Sequence, residues 1–329
     1  MTDATLPIPT EPKGISFARR LADLAAADPD RVAITCADRA ITRGGLEEAA
    51  DALARDLMSR GVVTGSMVTI ALPNSIDWFV AYSACWKLGA IPQPVSARLP
   101  HRELAAIVEL ADPPVVLGVE SGTFAGRVCL PMGYEPPPVP VGAEPLPDAV
   151  SPAWKAPTSG GSTGRPKLIV SGDPALVDVS AGPPLLMREG GCLVMPGPLY
   201  HNGPAVWSCQ ALLWGNHIVL LPRFDAEATL AAIAEHQADV VYMVPTMMKR
   251  IWRLPEEVRE SYDMSSLRIV WHLAEPCPEW LKQVWIDWLG ADRIVELYAG
   301  TEGQAATIIT GPEWLAHRGS VGRVAAGEI

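Results

Sequence analysis

No stretch of this sequence is apolar over the roughly 20 residues that a membrane-spanning helix requires. The longest candidate, residues 78–88, contains Lys87 and is followed by Gly89, which favours a buried helix. The chain also lacks a signal peptide at its start and any run of Lys or Arg. Its net charge of −11 gives it little attraction for nucleic acids or anionic membranes. We expect a cytoplasmic protein with no membrane span and no nucleic-acid partner.

Motifs for metal and redox chemistry are equally scarce. The six cysteines are scattered without a C-x-x-C pair, and the six histidines show no H-E-x-x-H or comparable spacing. A structural zinc site is therefore not expected. We expect reduced, mostly buried thiols, with a catalytic or metal-bound cysteine as the alternative.

Short apolar segments alternate with stretches of helical periodicity along most of the chain. The first series predicts strands at 68–72, 91–95 and 115–119, with helices at 46–57 and 75–88. The second series predicts strands at 192–195, 218–221, 240–244, 267–271 and 293–297, with helices at 204–213, 226–236, 246–254 and 278–289. This order is typical of a parallel sheet covered on both faces. We expect an α/β fold with two lobes of mostly parallel β-sheet flanked by helices.

Composition divides the chain into three parts. Residues 1–13 are polar and contain three prolines, which predicts a flexible N-terminal arm. Residues 14–185 form the first predicted lobe, including a proline-rich connector at 131–157 and a loop at 158–167. Residues 186–329 form the second predicted lobe.

The segment at 158–167 is rich in glycine and hydroxyl groups, and reads Thr-Ser-Gly-Gly-Ser-Thr-Gly-Arg-Pro-Lys. Its glycines allow successive backbone N–H groups to face an anion, and its lysine adds a positive charge. It is neither a Walker loop nor a G-x-G-x-x-G fingerprint. Composition leaves two interpretations open: a polyphosphate cradle, or an ordinary Gly/Ser-rich surface turn.

A second motif, at 296–303, reads Glu-Leu-Tyr-Ala-Gly-Thr-Glu-Gly. The two segments together resemble the phosphate loop and the Y-G-x-T-E motif of the adenylate-forming superfamily, which includes acyl- and aryl-CoA ligases, luciferases and peptide-synthetase adenylation domains. Residues 198–203, 267–270 and 319–323 resemble three further segments of that family. The resemblance covers nearly the whole chain and implies the fold of the family's large N-terminal domain.

The chain departs from the family pattern at four places. Gly160-Gly161 replaces the usual Ser-Gly, Leu168 replaces the glycine after the lysine, and Ala299 replaces the first glycine of the second motif. The adenine loop, usually Gly-Gly-Ala-Pro, reads Leu-Ala-Glu-Pro at 273–276. The last change is expected to reshape the floor of the pocket.

The resemblance implies specific roles for matching residues. The groups implied to hold the triphosphate of ATP are Ser159, Gly160, Gly161, Ser162, Thr163, Gly164 and Lys167. Those implied to contact the adenosine moiety are Glu275, Tyr298, Ala299 and Gly300. Catalytic roles at the α-phosphate and the acid are implied for Thr301, Glu302 and His201, and ligation of Mg²⁺ for Glu302 and Thr163. The implied reaction activates a carboxylic acid with ATP and then transfers the acyl group to CoA.

His201 bears on the class of acid. Adenylation domains for α-amino acids usually carry an Asp at this alignment point, which pairs with the ammonium of the substrate. Because burying an unpaired ammonium is costly, His201 favours an uncharged acyl or aryl acid, with a merely structural His as the alternative. The unusual loops also resemble those of ligases for bulky steroid or bile-type acids.

The family continues beyond the point at which this sequence stops, with a ribose-binding Asp, a hinge and a small C-terminal domain. We therefore expect an inactive or impaired acid–CoA ligase. Two alternatives stay open: an adenylation domain that loads a carrier protein, and a non-catalytic nucleotide- or acid-binding relic. A kinase or P-loop ATPase is a distant third. A homodimer is also compatible with the sequence.

Overall fold

The computed structural model describes residues 14–159 and 166–327, which form a mixed α/β structure. The strands are β1 Ile15–Ser16, β2 Val32–Cys36, β3 Arg39–Thr42, β4 Met67–Ile70, β5 Ile91–Pro94, β6 Val115–Leu117, β7 Val128–Leu130, β8 Thr158–Ser159, β9 Lys167–Leu168, β10 Leu176–Val177, β11 Cys192–Met195, β12 His217–Leu220, β13 Val240–Met243, β14 Ile269–Leu273, β15 Ile294–Ala299, β16 Ala305–Thr310 and β17 Arg323–Gly327. The helices are α1 Phe17–Ala27, α2 Arg43–Ser59, α3 Ile76–Lys87, α4 His101–Ala111, α5 Asn202–Leu213, α6 Ala226–Glu235, α7 Pro245–Trp252, α8 Glu256–Glu260, α9 Glu279–Leu289 and α10 Gly311–Ala316, with short 3₁₀ turns at Val179–Ala181 and Ala291–Arg293.

Nine strands form the larger sheet, in the order β17-β16-β15-β14-β13-β11-β12-β2-β3. Its central strands, from β15 to β2, are all parallel, and only the edges pair antiparallel. The central strands are apolar and buried on both faces, as a parallel sheet between two helical layers requires. The sequence of alternating strands and helices therefore produces the expected parallel sheet.

A second, all-parallel sheet has the order β5-β4-β6-β7. One large core joins the two sheets, and is filled by apolar residues from α1, α2, α3 and α5. Helices α6, α7, α9 and α10 cover the other face of the nine-stranded sheet, while α4 covers the other face of the smaller one. The predicted α/β class, with two mostly parallel sheets flanked by helices, is confirmed.

Local signals explain where several helices begin. Ser75 accepts a hydrogen bond from the backbone N–H of Trp78 and caps α3, and Asp225 caps α6 in the same way. Gly61, just beyond α2, adopts a φ of 92°, which favours glycine and ends the helix as predicted. These caps fix helix ends close to the positions expected from the sequence.

The predicted division of the chain at residue 185 does not coincide with the boundary between the sheets. Strands β2 and β3 lie early in the chain, yet β2 pairs with β12 and extends the nine-stranded sheet. The proline-rich segment at 131–157 contains neither a helix nor a strand. The predicted arm at 1–13 lies outside the described residues.

Two further features bear on the sequence-based expectations. Five of the six cysteines are buried, and the sixth, Cys277, is half-buried. Within the two described stretches, no helix combines the length and apolar character that crossing a membrane requires.

The nine-stranded sheet contains two histidines whose neutral forms are favoured. Burial, followed by the positive charge of Lys282, lowers the pKa of His272 to about 3. Desolvation, together with His236 and Arg31, lowers the pKa of His217 to about 4. An unfolded histidine has a pKa of about 6.5, so the unfolded chain binds more protons between these values.

Stability should therefore decrease as the pH falls from about 6.5 towards 3, with a slope of up to about 1.4 kcal/mol per pH unit for each histidine. Replacing His272 with Leu should flatten the slope of the free energy of unfolding against pH. Urea denaturation between pH 4 and 7 measures this slope, with the same change at exposed His101 as the control. An unchanged slope for His272→Leu would contradict the assignment.

Candidate nucleotide and acid site

The motif residues of the second half gather at one edge of the nine-stranded sheet. Strands β11, β13, β14 and β15 are consecutive parallel neighbours in the sheet, so their carboxyl ends meet at the same edge. The segments that follow these strands are 196–201, 244–246, 274–278 and 300–304. Ligands of open parallel sheets bind at this edge, where the loops diverge. The structure thus brings together the segments of His201, Glu275 and Tyr298.

Strand β15 carries the first residues of the Tyr-Ala-Gly-Thr-Glu motif. Tyr298 is 62% exposed, which leaves an aromatic face open at the end of a strand whose beginning is buried. Thr301 is half-buried and Glu302 is exposed. Glu302 forms no hydrogen bond or ion pair with another described residue. Its carboxylate is therefore available to a ligand.

The adenine-loop segment is shaped by its departure from the family pattern. Ala274 adopts a φ of 72°, in the left-handed region that favours glycine. Glu275 accepts hydrogen bonds from the backbone N–H of Thr246, at 3.1 Å, and from its hydroxyl, at 2.6 Å. Its negative charge therefore lies at the amino end of α7, where a helix favours an anion. The family resemblance implies a ligand contact for Glu275. In the structure, its contacts with Thr246 instead attach the loop to α7.

The segment of His201 is held from the other sheet. Asn74, which precedes α3, donates hydrogen bonds to the carbonyls of Gly197 and Leu221, both at 2.9 Å. Its side-chain oxygen accepts from the backbone N–H of Leu199 at 2.8 Å. His201 itself begins α5 without a side-chain cap. Desolvation lowers its pKa, so the imidazole is neutral at pH 7.

Aromatic side chains fill the space between α5 and the sheet. The ring of Trp207 lies 5.3 Å from that of Tyr242 and 5.5 Å from that of Trp271, in edge-to-face contacts. Gly203 lies directly over Tyr242, because a Cβ atom at this glycine would be 2.3 Å from the tyrosine hydroxyl. The floor beside His201 is therefore aromatic and tightly filled.

The phosphate-loop segment is flanked by a separate two-stranded sheet, β8–β9, which lies beside the edge strand β5 of the four-stranded sheet. Ser159 and Lys167 pair across the antiparallel hairpin β8–β9. Thr158 accepts a hydrogen bond from Gln93 of β5 at 2.9 Å, and Gln93 accepts one from the Thr69 hydroxyl at 2.7 Å. The hairpin is thus anchored at the end of the smaller sheet.

Leu168 replaces the glycine usual in the family. It packs against the cluster under α4 and so anchors the second strand of the hairpin. Lys167, beside it, is exposed and forms no ion pair with another described residue. Gly160, Gly161, Ser162, Thr163 and Gly164 lie outside the described residues, and their placement relative to Thr301 and Glu302 stays a prediction.

The residues present are compatible with a magnesium ion shared with a polyphosphate. The described residues contain no group of three or more His, Cys, Asp or Glu that would cage a metal alone. Mg²⁺ commonly takes one or two carboxylates and completes its shell with phosphate oxygens and water. Glu302, which is exposed and has no ion-pair partner within residues 14–159 and 166–327, satisfies that requirement.

Sequence patterns did not identify two residues that shape this edge, Asn74 and Tyr242. Ser75 caps α3, which leaves the Asn74 amide free to hold the loop. Tyr242 acts through partners distant in sequence. No local pattern reveals such contacts.

Comparison with known proteins agrees with this architecture. A family model described as AMP-binding enzyme matches residues 21–329. Since the match covers most of the chain, the protein belongs to the AMP-binding enzyme family.

Individual relatives define the similarity further. The chain is 29% identical over 277 residues to a feruloyl-CoA synthase of Amycolatopsis sp, covering 79% of this chain and 54% of the relative. It is 27% identical over 270 residues to 4-coumarate–CoA ligase 5 of Oryza sativa subsp. japonica, covering 73% and 49%. The chain therefore spans about half the length of these curated relatives.

A solved structure extends the similarity to the fold. The N-terminal domain of FACL13 from Mycobacterium tuberculosis superposes with a TM-score of 0.75 at 20% identity, covering 94% of this chain and 83% of that one. The chain has the α/β fold of the N-terminal domain of acyl-CoA synthetases.

The contact between Gly203 and Tyr242 gives a direct test of the pocket floor. Gly203→Ala should lower the free energy of unfolding by about 1–3 kcal/mol, because the added methyl group overlaps the tyrosine hydroxyl. Adding Tyr242→Phe should recover part of this loss. Urea denaturation of both single variants and the double variant measures the coupling. Additive effects would show that the two side chains are not in contact.

The strained loop residue gives a second test. Ala274→Gly should raise the free energy of unfolding by about 0.5–1 kcal/mol, because relief of left-handed strain exceeds the entropy lost by the more flexible unfolded chain. Ala37, at a φ of 53° in the β2–β3 turn, provides a matched control. Chemical denaturation should show a similar gain for Ala37→Gly. A loss of stability in Ala274→Gly would rule out strain at this position.

Proposed function

We propose that this chain provides the nucleotide and acid site of an AMP-forming acid–CoA ligase. The observation that carries the proposal is the convergence of His201, the 273–276 segment and Tyr298 to Glu302 at one edge of a parallel sheet. Membership of the AMP-binding enzyme family supports it. For the whole protein we also propose the complete two-step activity, which is activation of the acid with ATP followed by transfer of the acyl group to CoA. The names of its relatives, a CoA synthase and a CoA ligase, support this proposal.

The residues of the chain would act on substrates by charge and orientation. The ammonium of Lys167 would offset the negative charge of the phosphates, and the hydroxyl of Thr301 would donate to the α-phosphate. Glu302, together with Thr163, would hold Mg²⁺, which supplies further charge neutralisation when bound. The open face of Tyr298 would stack on adenine. Proximity and electrostatic stabilisation, rather than a protein nucleophile, would therefore promote attack of the carboxylate on the α-phosphate, with pyrophosphate as the leaving group and an acyl-adenylate as the product. The thiolate of CoA would then attack the acyl carbon and displace AMP.

The acid is proposed to be uncharged apart from its carboxylate, and aromatic. His201 is neutral at pH 7, and Trp207 and Tyr242 form an aromatic floor beside it. No acidic side chain of the 198–203 segment is available to pair with an amino acid's ammonium. Two of the relatives are named for feruloyl and 4-coumarate substrates, which are aryl acids. A bulky steroid or bile-type acid is the alternative within the same class.

Two other functions are compatible with this site. A carrier protein in place of CoA would keep the same first step, and a non-catalytic binding protein would keep the nucleotide pocket alone. A homodimer and a cytoplasmic location likewise stay proposals. Lys167 and Glu302 form no ion pair with another residue in the described part of the chain, which favours a site that still binds a phosphorylated ligand.

The test is binding of non-hydrolysable acyl-sulfamoyl adenosines that differ only in the acid. Because ligands that bind the folded state raise the melting temperature, aryl analogues should give larger shifts than steroidal or aminoacyl ones. Tyr298→Ala should weaken binding about 5- to 150-fold, from the loss of about 1–3 kcal/mol of base stacking. Calorimetry measures the dissociation constants.

Tyr262→Ala serves as the control, since this tyrosine follows α8 at the amino end of β14, the opposite end of that strand. It should leave affinity unchanged. A folded wild-type sample that binds neither AMP nor any analogue would refute the nucleotide site. Tightest binding of a steroidal analogue would refute the aryl-acid proposal while preserving the nucleotide site.

A further inference from the structure

A buried ion pair lies beneath the nucleotide end of the candidate site. Lys282 of α9 donates a hydrogen bond to the carboxylate of Glu296 on β15. Lys282 is 1% exposed and Glu296 is 9% exposed. His272, opposite Glu296 on β14, is fully buried, and its Nε2 lies 4.0 Å from the same carboxylate. Neither ring nitrogen of His272 has a hydrogen-bond partner among the described residues.

This pair is poorly explained by stability alone. Removing two charges from water is costly, and apolar residues of similar volume often replace a buried ion pair without loss of stability. The surroundings are suited to such a replacement, because Leu281, Trp285 and Ile309 form an apolar cluster on the same side of the sheet. The unsatisfied nitrogens of His272 add a further cost. Because the Lys282–Glu296 pair is present despite these costs, we look for its role in the geometry of the surrounding strands.

The geometry indicates what that role is. Side chains two residues apart on a strand share a face, so Tyr298 stands on the same face of β15 as Glu296. Ala274 lies immediately beyond the end of β14, two residues after His272. The ion pair and His272 therefore form the last buried layer before both loops leave the sheet. The Lys282 ammonium also lies 5.1 Å from the ring of Trp314, and so ties α10 to this layer.

We propose that Lys282 and Glu296 are positioning residues: they fix the direction in which β14 and β15 deliver the 273–278 and 297–303 segments, and hence the orientation of Tyr298. A charged hydrogen bond is directional, whereas apolar contacts of equal volume allow the strand end to shift and rotate. The strained Ala274 requires such restraint, since left-handed backbone persists only where its surroundings hold it. The binding part of this proposal rests on the proposed function, whereas its structural part does not.

The experiment replaces the pair with apolar residues of similar size. Lys282→Met with Glu296→Leu should leave the melting temperature close to that of the wild type. Hydrogen–deuterium exchange should nevertheless accelerate by about tenfold or more in peptides covering 273–278 and 297–303, the equivalent of about 1.4 kcal/mol of local opening. The dissociation constant of AMP should rise by about tenfold or more. If the double variant does not fold, Lys282→Gln with Glu296→Gln, which removes both charges without leaving either one buried and unpaired, carries the same comparison.

Lys87 and Glu47 form a matched control, because they also join a helix to a neighbouring element through one partly buried pair. Lys87→Met with Glu47→Leu should change neither exchange in the two loops nor affinity for AMP. Unchanged loop exchange in the Lys282/Glu296 double variant would overturn the positioning role. Absence of AMP binding to the wild type would instead refute the proposed function, and loop exchange would still decide the role of the pair.

Discussion

Parallel alignment of β11, β13, β14 and β15 is the constraint on which the candidate site depends. These strands all run in the same direction, and helices connect one strand to the next. The hydrogen bonds between the strands therefore fix the position at which each loop leaves the carboxyl edge of the sheet. A shift of one residue in any strand would turn each of its side chains to the opposite face of the sheet. The apolar character of both faces, and the helices that cover them, hold this register.

Sequence patterns predicted this framework well because its signals are local. The strands and helices of the second half recur as apolar runs and helical periodicity, and their positions agree with the structure to within about two residues. The hairpin β2–β3 was missed. Its two-residue turn contains Ala37 and Asp38, without the glycine that usually signals such a turn. Strands β16 and β17 were missed as well, because their residues are largely small or half-exposed.

The candidate site was predictable only in part. Motif residues were identified by their resemblance to a family, and the structure places those of the second half along one edge. The contacts of Glu275 with Thr246, and of Asn74 with the 197–199 backbone, join residues far apart in the chain. Such contacts follow from tertiary geometry, which composition and spacing do not encode.

Of the positions at which a side chain replaces a family glycine, Leu168 and Ala274 restrict the backbone by different physical means. Leu168 gains apolar contacts under α4 and fixes one strand of the phosphate hairpin. Ala274 gains no comparable contact and instead accepts an unfavourable backbone conformation. The first change adds rigidity through burial, and the second adds it through restricted backbone freedom.

The pairing of β2 with β12 has a consequence for the order of events during synthesis. Thr35 and His217, whose side chains are joined by a hydrogen bond, lie 182 residues apart in sequence. During synthesis, the β2 edge of the β2–β3 hairpin therefore stays unpaired until β12 has left the ribosome. Contacts of such long range slow folding and leave a strand edge open to other chains. The four-stranded sheet can form first. The nine-stranded sheet can be completed only after both β2 and β12 have been synthesised.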